Sequence, residues 1–307
     1  MPLFKNIEGK LKLVKEQKIP LEKDLQKLTE ENLENIFGLK FISSEFTIQN
    51  FRIDTLAFDG ENKSFVIIEY KRDRSFSVID QGYSYLALML NNKADFILEY
   101  NEKMKDNLKR DAVDWSQSRV LFLSTNFTTY QQNAINFKDL PIELWEVNKY
   151  DNDTLLYSEL KTADSKESIK TVSKNKTIEN VSKEVKKYSV DEHFKDGWEK
   201  SREIFDELRT RLLDLDGRIG EKPTKSYIGY QIEGKNMTII RTRKSSLNIE
   251  LPRTQPKDVK DPEGRVKYIN NCIKYYGQHI SWFAIDSMED IDYAMSLIRQ
   301  TYKKHFE

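Results

Sequence analysis

Residues 51–85 read FRIDTLAFDGENKSFVIIEYKRDRSFSVIDQGYSY, and the order of residue types along them decides the architecture. Phe65-Val66-Ile67-Ile68 is apolar at consecutive positions. A strand of that kind is buried on both faces, as in the middle of a sheet. The run before it carries Asp54 between Ile53 and Leu56, and Asp59-Gly60-Glu61-Asn62 separates the two runs. The pair therefore reads as a β-hairpin with a loop longer than the tightest type.

Glu69 and Lys71 end the buried run. Two residues apart in a strand, they share a face at a separation of roughly 6.6 Å. Ionisable side chains in such a place need partners or a metal, because unpaired burial is costly. Folding at Gly60 brings Asp54 opposite the Glu69 region, and two converging carboxylates repel unless a cation lies between them. Oxygen ligands with room for water suit Mg²⁺ or Mn²⁺ rather than zinc. Lys71 beside them could orient a water and offset charge on a phosphate, which completes the parts for metal-assisted phosphodiester hydrolysis. Taken alone, Glu-x-Lys at a strand end is more often a surface salt bridge. Gln81 and Tyr85 add weight: four apart on the next helix, they share a face that can point back at the strand ends.

Outward from this stretch, Leu21, Leu25, Leu28 and Ile36 mark one amphipathic helix running from just after Pro20 to Gly38. A strand is expected over Glu45 to Phe58, a helix from about Val78 to Asn91, and further strands near Phe96–Tyr100, Arg119–Ser124 and Ile142–Val147. That order is α/β, with a mixed central sheet flanked by helices. Residues 161–190, rich in Lys, Ser, Thr and Asn, read as a polar linker between a domain over 1–160 and a small α+β domain over 191–307. In the latter, Trp198, Phe205, Leu208, Leu212 and Leu215 predict a helix. Strands follow at Ser226–Tyr230, Met237–Arg243 and Leu247–Leu251, then a helix over Glu263 to Tyr276 and a strand over Trp282–Ile285. Ser287 and Asp290 form a capping box for the last helix.

Asp54, Glu69-Tyr70-Lys71 and Gln81-Gly-Tyr-Ser-Tyr85 together resemble the PD-(D/E)XK (restriction-endonuclease-like) nuclease superfamily. The likeness is to its RecB-like branch, with the nuclease domain of archaeal and actinobacterial single-strand and mismatch endonucleases as the nearest pattern. There an Arg-Ile-Asp precedes a Val-Glu-x-Lys; here these are Arg52-Ile53-Asp54 and Ile68-Glu69-Tyr70-Lys71. The resemblance covers Leu21 to Tyr100 well and the rest of the first domain loosely. It implies a restriction-endonuclease-like core in which Asp54 and Glu69 hold the metal, Lys71 is the catalytic lysine, and Gln81 and Tyr85 support the site. It also implies that a first-helix glutamate completes the metal shell, with Glu22 the first choice and Glu31 the second. Glu45 and Asp59 read as structural or exposed. The region from Asp191 onward resembles an uncharacterised domain that recurs behind such nucleases and carries no assigned chemistry.

Lys+Arg and Asp+Glu each number 50, for a formal net charge of zero. A nuclease with that balance needs its second domain, a homodimer or a partner to supply substrate grip. Arg241, Arg243 and Lys244, with Arg253 nearby, could form a basic strand face; a solvated hairpin is the plainer alternative. Trp198, Trp282 and Tyr227 read first as core and second as stacking surfaces. Cys272 is the only cysteine, so no intramolecular disulfide forms. His193, His279 and His305 show no zinc spacing. No stretch has the apolar length of a signal peptide or a membrane span, which points to the cytoplasm. The resulting expectation is a Mg²⁺- or Mn²⁺-dependent endonuclease on single-stranded, branched or mismatched DNA, with DNA preferred over RNA. The alternative is a catalytically silent nuclease fold that binds nucleic acid or a protein.

Overall fold

A computed structural model describes residues 2–19, 22–71, 77–137, 139–160, 167–169 and 175–307. Leu21 of the expected first helix and much of the expected linker lie outside these residues. The chain divides into two compact units, Met1–Lys187 and Tyr188–Glu307.

The first unit opens with a hairpin, β1 (Leu3–Ile7) and β2 (Lys10–Val14), followed by the short β3 (Glu16–Gln17). Helix α1 (Glu22–Glu30) and helix α2 (Leu33–Phe37) come next. Strands β4 (Lys40–Ile48), β5 (Phe51–Asp59) and β6 (Ser64–Lys71) then lead to α3 (Val78–Asn91) and α4 (Lys93–Met104). Strand β7 (Arg119–Ser124), α5 (Thr129–Ala134), β8 (Ile142–Tyr150), β9 (Leu155–Glu159) and α6 (Lys176–Glu184) complete it. Seven of the strands form one sheet in the order β3-β8-β7-β6-β5-β4, with β9 on β8. The pairs β6–β7 and β7–β8 are parallel, and β4–β5 and β5–β6 antiparallel. This is the expected mixed sheet.

Helices cover both faces of that sheet. Leu56, Phe58, Phe65 and Ile67 point to the side of α3, α4 and α6, where Leu86, Phe96 and Val181 meet them. Ala57, Val66, Ile68 and Tyr70 point to the side of α1 and α2, against Leu25, Leu33 and Phe37. Strand β6 is buried at every position until Lys71, as its unbroken apolar run requires.

Several expectations are corrected. The single helix ending at Gly38 is two, because Asn32 leaves helical backbone (φ −127°) and its side-chain amide donates to Leu28 O at 2.9 Å. The strand expected over Glu45 to Phe58 is the end of β4, a reversal with Gln49 at φ 53°, and β5. The strand expected over Phe96–Tyr100 is the helix α4: Phe96 and Tyr100, one turn apart, are buried, while Leu98 is exposed. The last turns of the expected linker, which the sequence allows to be helical around Val181 to Val185, belong to α6; what is corrected is their place, since Ile178 and Val181 lie in the first unit's core. Asp59 is structural, as expected. It caps the turn by accepting from the Glu61 and Asn62 N–H groups and pairs with buried Arg119 at 3.0 Å.

The second unit contains α7 (Glu199–Leu213), β10 (Gly220–Pro223), β11 (Ile228–Ile232), β12 (Lys235–Thr242) and β13 (Leu247–Pro252). The short β14 (Lys267–Tyr268) and α8 (Cys272–Tyr276), then β15 (Ile280–Ile285) and α9 (Ile291–Phe306), follow. The helix expected over Glu263 to Tyr276 shrinks to α8. Gly264 stands at φ 65°, and Asp261 ties down the N–H groups of Glu263, Gly264 and Val266 in a turn. All six strands pair antiparallel in the order β10-β11-β12-β13-β15-β14. Phe205, Leu208 and Leu212 of α7 and Leu297 and Ile298 of α9 pack on Tyr230, Ile240, Ile249 and Phe283. The box formed by Ser287 and Asp290 precedes α9. No described helix is long and apolar enough to cross a membrane.

Candidate active site

The ladder between β5 and β6 runs from Asp59↔Ser64 to Thr55↔Ile68. One step further, side chains replace main-chain carbonyls as acceptors. The Asp54 N–H donates to Glu69 Oε1 at 3.2 Å, and the Tyr70 N–H donates to Asp54 Oδ2 at 3.1 Å. On its other edge β6 stays paired with β7 through Lys71↔Ser124. Each carboxylate is thus pinned by the backbone of the other strand, and the two meet where the hairpin ladder stops.

Strand alternation sets which way these groups face. Asp54 shares a face with Leu56 and Phe58, and Glu69 and Lys71 share one with Phe65 and Ile67. All three therefore look toward α3. Lys71 Nζ lies 3.2 Å from Glu69 Oε2, with the lysine side chain 22% exposed and the glutamate 2%. This is a buried carboxylate with one half-buried cation at its mouth rather than a surface salt bridge.

From α3, Tyr85 Oη donates to Arg52 O at 3.4 Å and accepts from Gln81 Nε2 at 3.4 Å. Burial, then the charge and hydrogen bond of Glu69, push the Tyr85 hydroxyl well above the ordinary tyrosine range, so it stays a proton donor. Helix α3 begins at Ser77, whose Oγ accepts from the Asp80 N–H. Gly82 lets the helix lie close to the sheet: a Cβ there would sit 2.5 Å from Ile142 Cδ1 and 3.5 Å from Phe122 Cε2. A Gly82→Val chain should therefore lose about 1–3 kcal/mol from overpacking and carry Gln81 and Tyr85 away from Glu69. Thermal denaturation beside wild type checks the first effect.

Glu69 has a carboxyl pKa pushed up to about 7. Burial is the largest cause and the Asp54 charge the second, opposed by Lys71 and by the Asp54 N–H. The site thus holds one carboxyl poised between its two protonation states near neutrality.

The structure brings Asp54, Glu69, Lys71, Gln81 and Tyr85 to one place. Glu22 is at the exposed start of α1, and α1 packs on the opposite face of the sheet. Glu31 is exposed just past the end of α1. Among the described residues no three His, Cys, Asp or Glu side chains gather as a metal-binding group, so neither glutamate forms a three-carboxylate cluster with Asp54 and Glu69. Gln26, which sequence reasoning missed, approaches the site from behind. Its Nε2 donates to Asp54 O at 2.9 Å, Ser44 Oγ at 3.0 Å and Glu30 Oε1 at 3.0 Å. Thr55 Oγ1 also donates to Glu30 Oε1. The stripe Glu22-Gln26-Glu30 at four-residue spacing was the available signal.

Residues 190–305 match the family model described as a domain of unknown function, DUF5655. An uncharacterized protein of Haemophilus influenzae is 45% identical over 306 residues, covering 99% of this chain and 100% of that protein. Among solved structures, a repair endonuclease from Pyrococcus abyssi matches at 18% identity and a TM-score of 0.22, over 39% of this chain and 44% of that one. An EndoMS–dsDNA2 complex matches at 17% identity and a TM-score of 0.23, over 42% and 47%. The chain spans less than half the length of either endonuclease.

Proposed function

This chain belongs to one family with the Haemophilus influenzae protein, and we propose that its first unit is a metal-dependent nuclease acting on DNA. One observation carries the reading: Asp54 and Glu69 converge at the end of a buried strand, with Lys71 on Glu69 and Tyr85 above them. The pair satisfies two backbone N–H groups, but its burial and converging charges are costly without a cation. Asp54, Glu69, Lys71, Gln81 and Tyr85 stand at the motif positions of the nuclease superfamily, with Ile53 where the motif has proline and with no first-helix glutamate joining them among the described residues.

The donor set fits a hard divalent cation. Two carboxylates, joined by no third His, Cys, Asp or Glu among the described residues, suit Mg²⁺ or Mn²⁺, which use one or two carboxylates and leave the other positions to water and phosphate oxygens. Asp54 and Glu69 would hold it. When bound, such an ion supplies Lewis-acid polarisation of a phosphoryl oxygen. Lys71 presents an ammonium at the strand end, able to orient a water for in-line attack and to offset charge on the phosphate. The water oxygen bonds to phosphorus as it gives up a proton to solvent, the bond from phosphorus to the leaving oxygen breaks, and that oxygen takes up a proton from solvent. Asp54 and Glu69 are fixed by backbone N–H groups, so little reorganisation is needed as charge develops. Tyr85 keeps a neutral hydroxyl near Glu69, its proton donated to Arg52 O.

The test is a substrate panel: single-stranded, branched and mismatched duplex DNA, with an RNA strand alongside, in Mn²⁺ or Mg²⁺ and in EDTA. Metal-dependent cutting of DNA is the expected result. Cutting of RNA alone would move the substrate class, and no cutting of any strand would leave the silent binding module as the better account.

A further inference from the structure

The hairpin of β1 and β2 stands outside the first unit's main sheet. Among the described residues its strands pair only with each other, in the register Leu3↔Val14, Phe4↔Leu13, Lys5↔Lys12, Asn6↔Leu11 and Ile7↔Lys10. Nine of its ten strand residues are exposed, and Val14 at the root is buried. A lone two-stranded hairpin is marginal in water and needs a further strand or a packed face. This one carries two further burdens. Lys5 and Lys12 stand directly opposite each other, a like-charge pair that weakens the pairing. The two-residue turn holds Glu8 at φ 50° and Gly9 at φ 84°, and only the glycine adopts that backbone without strain.

The two faces of the hairpin differ in charge. Residues directly opposite share a face, and the faces alternate along each strand. Lys5, Lys10 and Lys12 therefore lie on one face, with Leu3, Ile7 and Val14. The other face holds Phe4, Asn6, Leu11 and Leu13 and no charged side chain. Phe4, Leu11 and Leu13 are 47%, 68% and 48% exposed. Asn6 is tied to the turn, its Oδ1 accepting from the Gly9 N–H at 2.9 Å.

We infer that this charge-free face docks on the same face of a second copy of the chain. A twofold contact sets a surface against itself, so it requires a face that does not repel its own image. The lysine face fails that condition and the Phe4 face meets it. Nucleic acid is the poorer occupant, because phosphates are drawn to the lysines on the opposite side. A charged peptide finds no counter-charge beside Phe4, Leu11 and Leu13. Face-to-face contact buries these three side chains of both copies and leaves the lysines outside. Each hairpin then supplies the packed layer that the other lacks. The face is small beside the roughly 800 Å² per partner of a standard interface, so the expected dimer is micromolar. This assignment goes beyond the hydrolytic reading and does not depend on it.

The experiment is sedimentation velocity of the full chain without DNA or metal, where monomer should pass to dimer between about 1 and 200 µM. Phe4→Glu and Leu11→Glu should each weaken association at least about tenfold, with circular dichroism showing the variants folded. Cys272 is the only cysteine and is buried, so an introduced thiol reports the contact directly. A short bismaleimide should join Leu11→Cys into a covalent dimer and leave Lys12→Cys, on the outer face, monomeric. A wild-type monomer at every concentration overturns the inference and leaves the face to a different partner. So does a dimer that both glutamate variants keep at wild-type strength, or equal cross-linking of the two cysteine variants. Because neither DNA nor metal is present, failure here and failure of the cleavage panel are separate outcomes.

Discussion

Glu69→Gln should raise the stability of the protein by about 3 kcal/mol at pH 8 in divalent-free buffer, and remove the metal-dependent cleavage proposed for it. The side chain is 2% exposed and its carboxyl pKa is pushed up to about 7 from an ordinary 4.5. Each pH unit of that gap corresponds to about 1.4 kcal/mol. The sign follows from linkage. Below pH 4.5 the group is protonated in both folded and unfolded chains and contributes no difference. Between about 4.5 and 7 the unfolded chain releases the proton more readily, so stability falls as pH rises. Above about 7 the full cost applies. Glutamine stands in for the neutral carboxyl and keeps an acceptor for the Asp54 N–H. Urea melts of wild type and variant from pH 4.5 to pH 8 check this: the curves should coincide at the acid end and diverge toward pH 8. Parallel curves would show that Glu69 does not titrate in that window.

Lys71→Met should lower the cleavage rate by about a hundred- to thousandfold, the usual loss on removing one donor aimed at developing charge. Methionine keeps most of the apolar stem and deletes only the ammonium, which is the group nearest Glu69 Oε2. The effect belongs in the rate at saturating DNA rather than in affinity, because the charge it stabilises develops during the reaction. A loss confined to affinity would make Lys71 a phosphate-binding residue and leave the chemistry elsewhere. The variant also leaves Glu69 without its main opposing cation, so its pKa should rise further. The residual rate should then need a higher pH.

The site was more legible than the fold around it. An apolar run buried on both faces and ending in Glu-x-Lys can be read directly, since strand period and burial give side-chain direction. Gln81 and Tyr85 followed from helical spacing. What could not be read were the places where local signals tie. Phe96 and Tyr100 satisfy a strand's composition, and only their burial on successive helix turns, with Leu98 exposed between them, shows the helix. The reversal at Gln49–Asn50 carries no glycine or proline, and Gln49 adopts positive φ without announcing it. Lys161 onward has linker composition with helical last turns, and composition alone did not show that Ile178, Val181 and Val185 dock in the first unit's core. The third metal carboxylate was expected by resemblance alone, and strand geometry puts α1 on the other face from Asp54. The N-terminal hairpin β1–β2 alternates charge and apolar residues with no turn signal beyond Glu8-Gly9, too little to distinguish it from an extended arm.

The central claim is that Asp54 and Glu69 share one divalent cation. Calorimetric titration of Mn²⁺ into wild type and into Asp54→Asn at pH 8 tests it most directly, since asparagine preserves an acceptor for the Tyr70 N–H while removing the charge. The account predicts one ion per wild-type chain and at least tenfold weaker binding in the variant. Identical isotherms for the two proteins would contradict it.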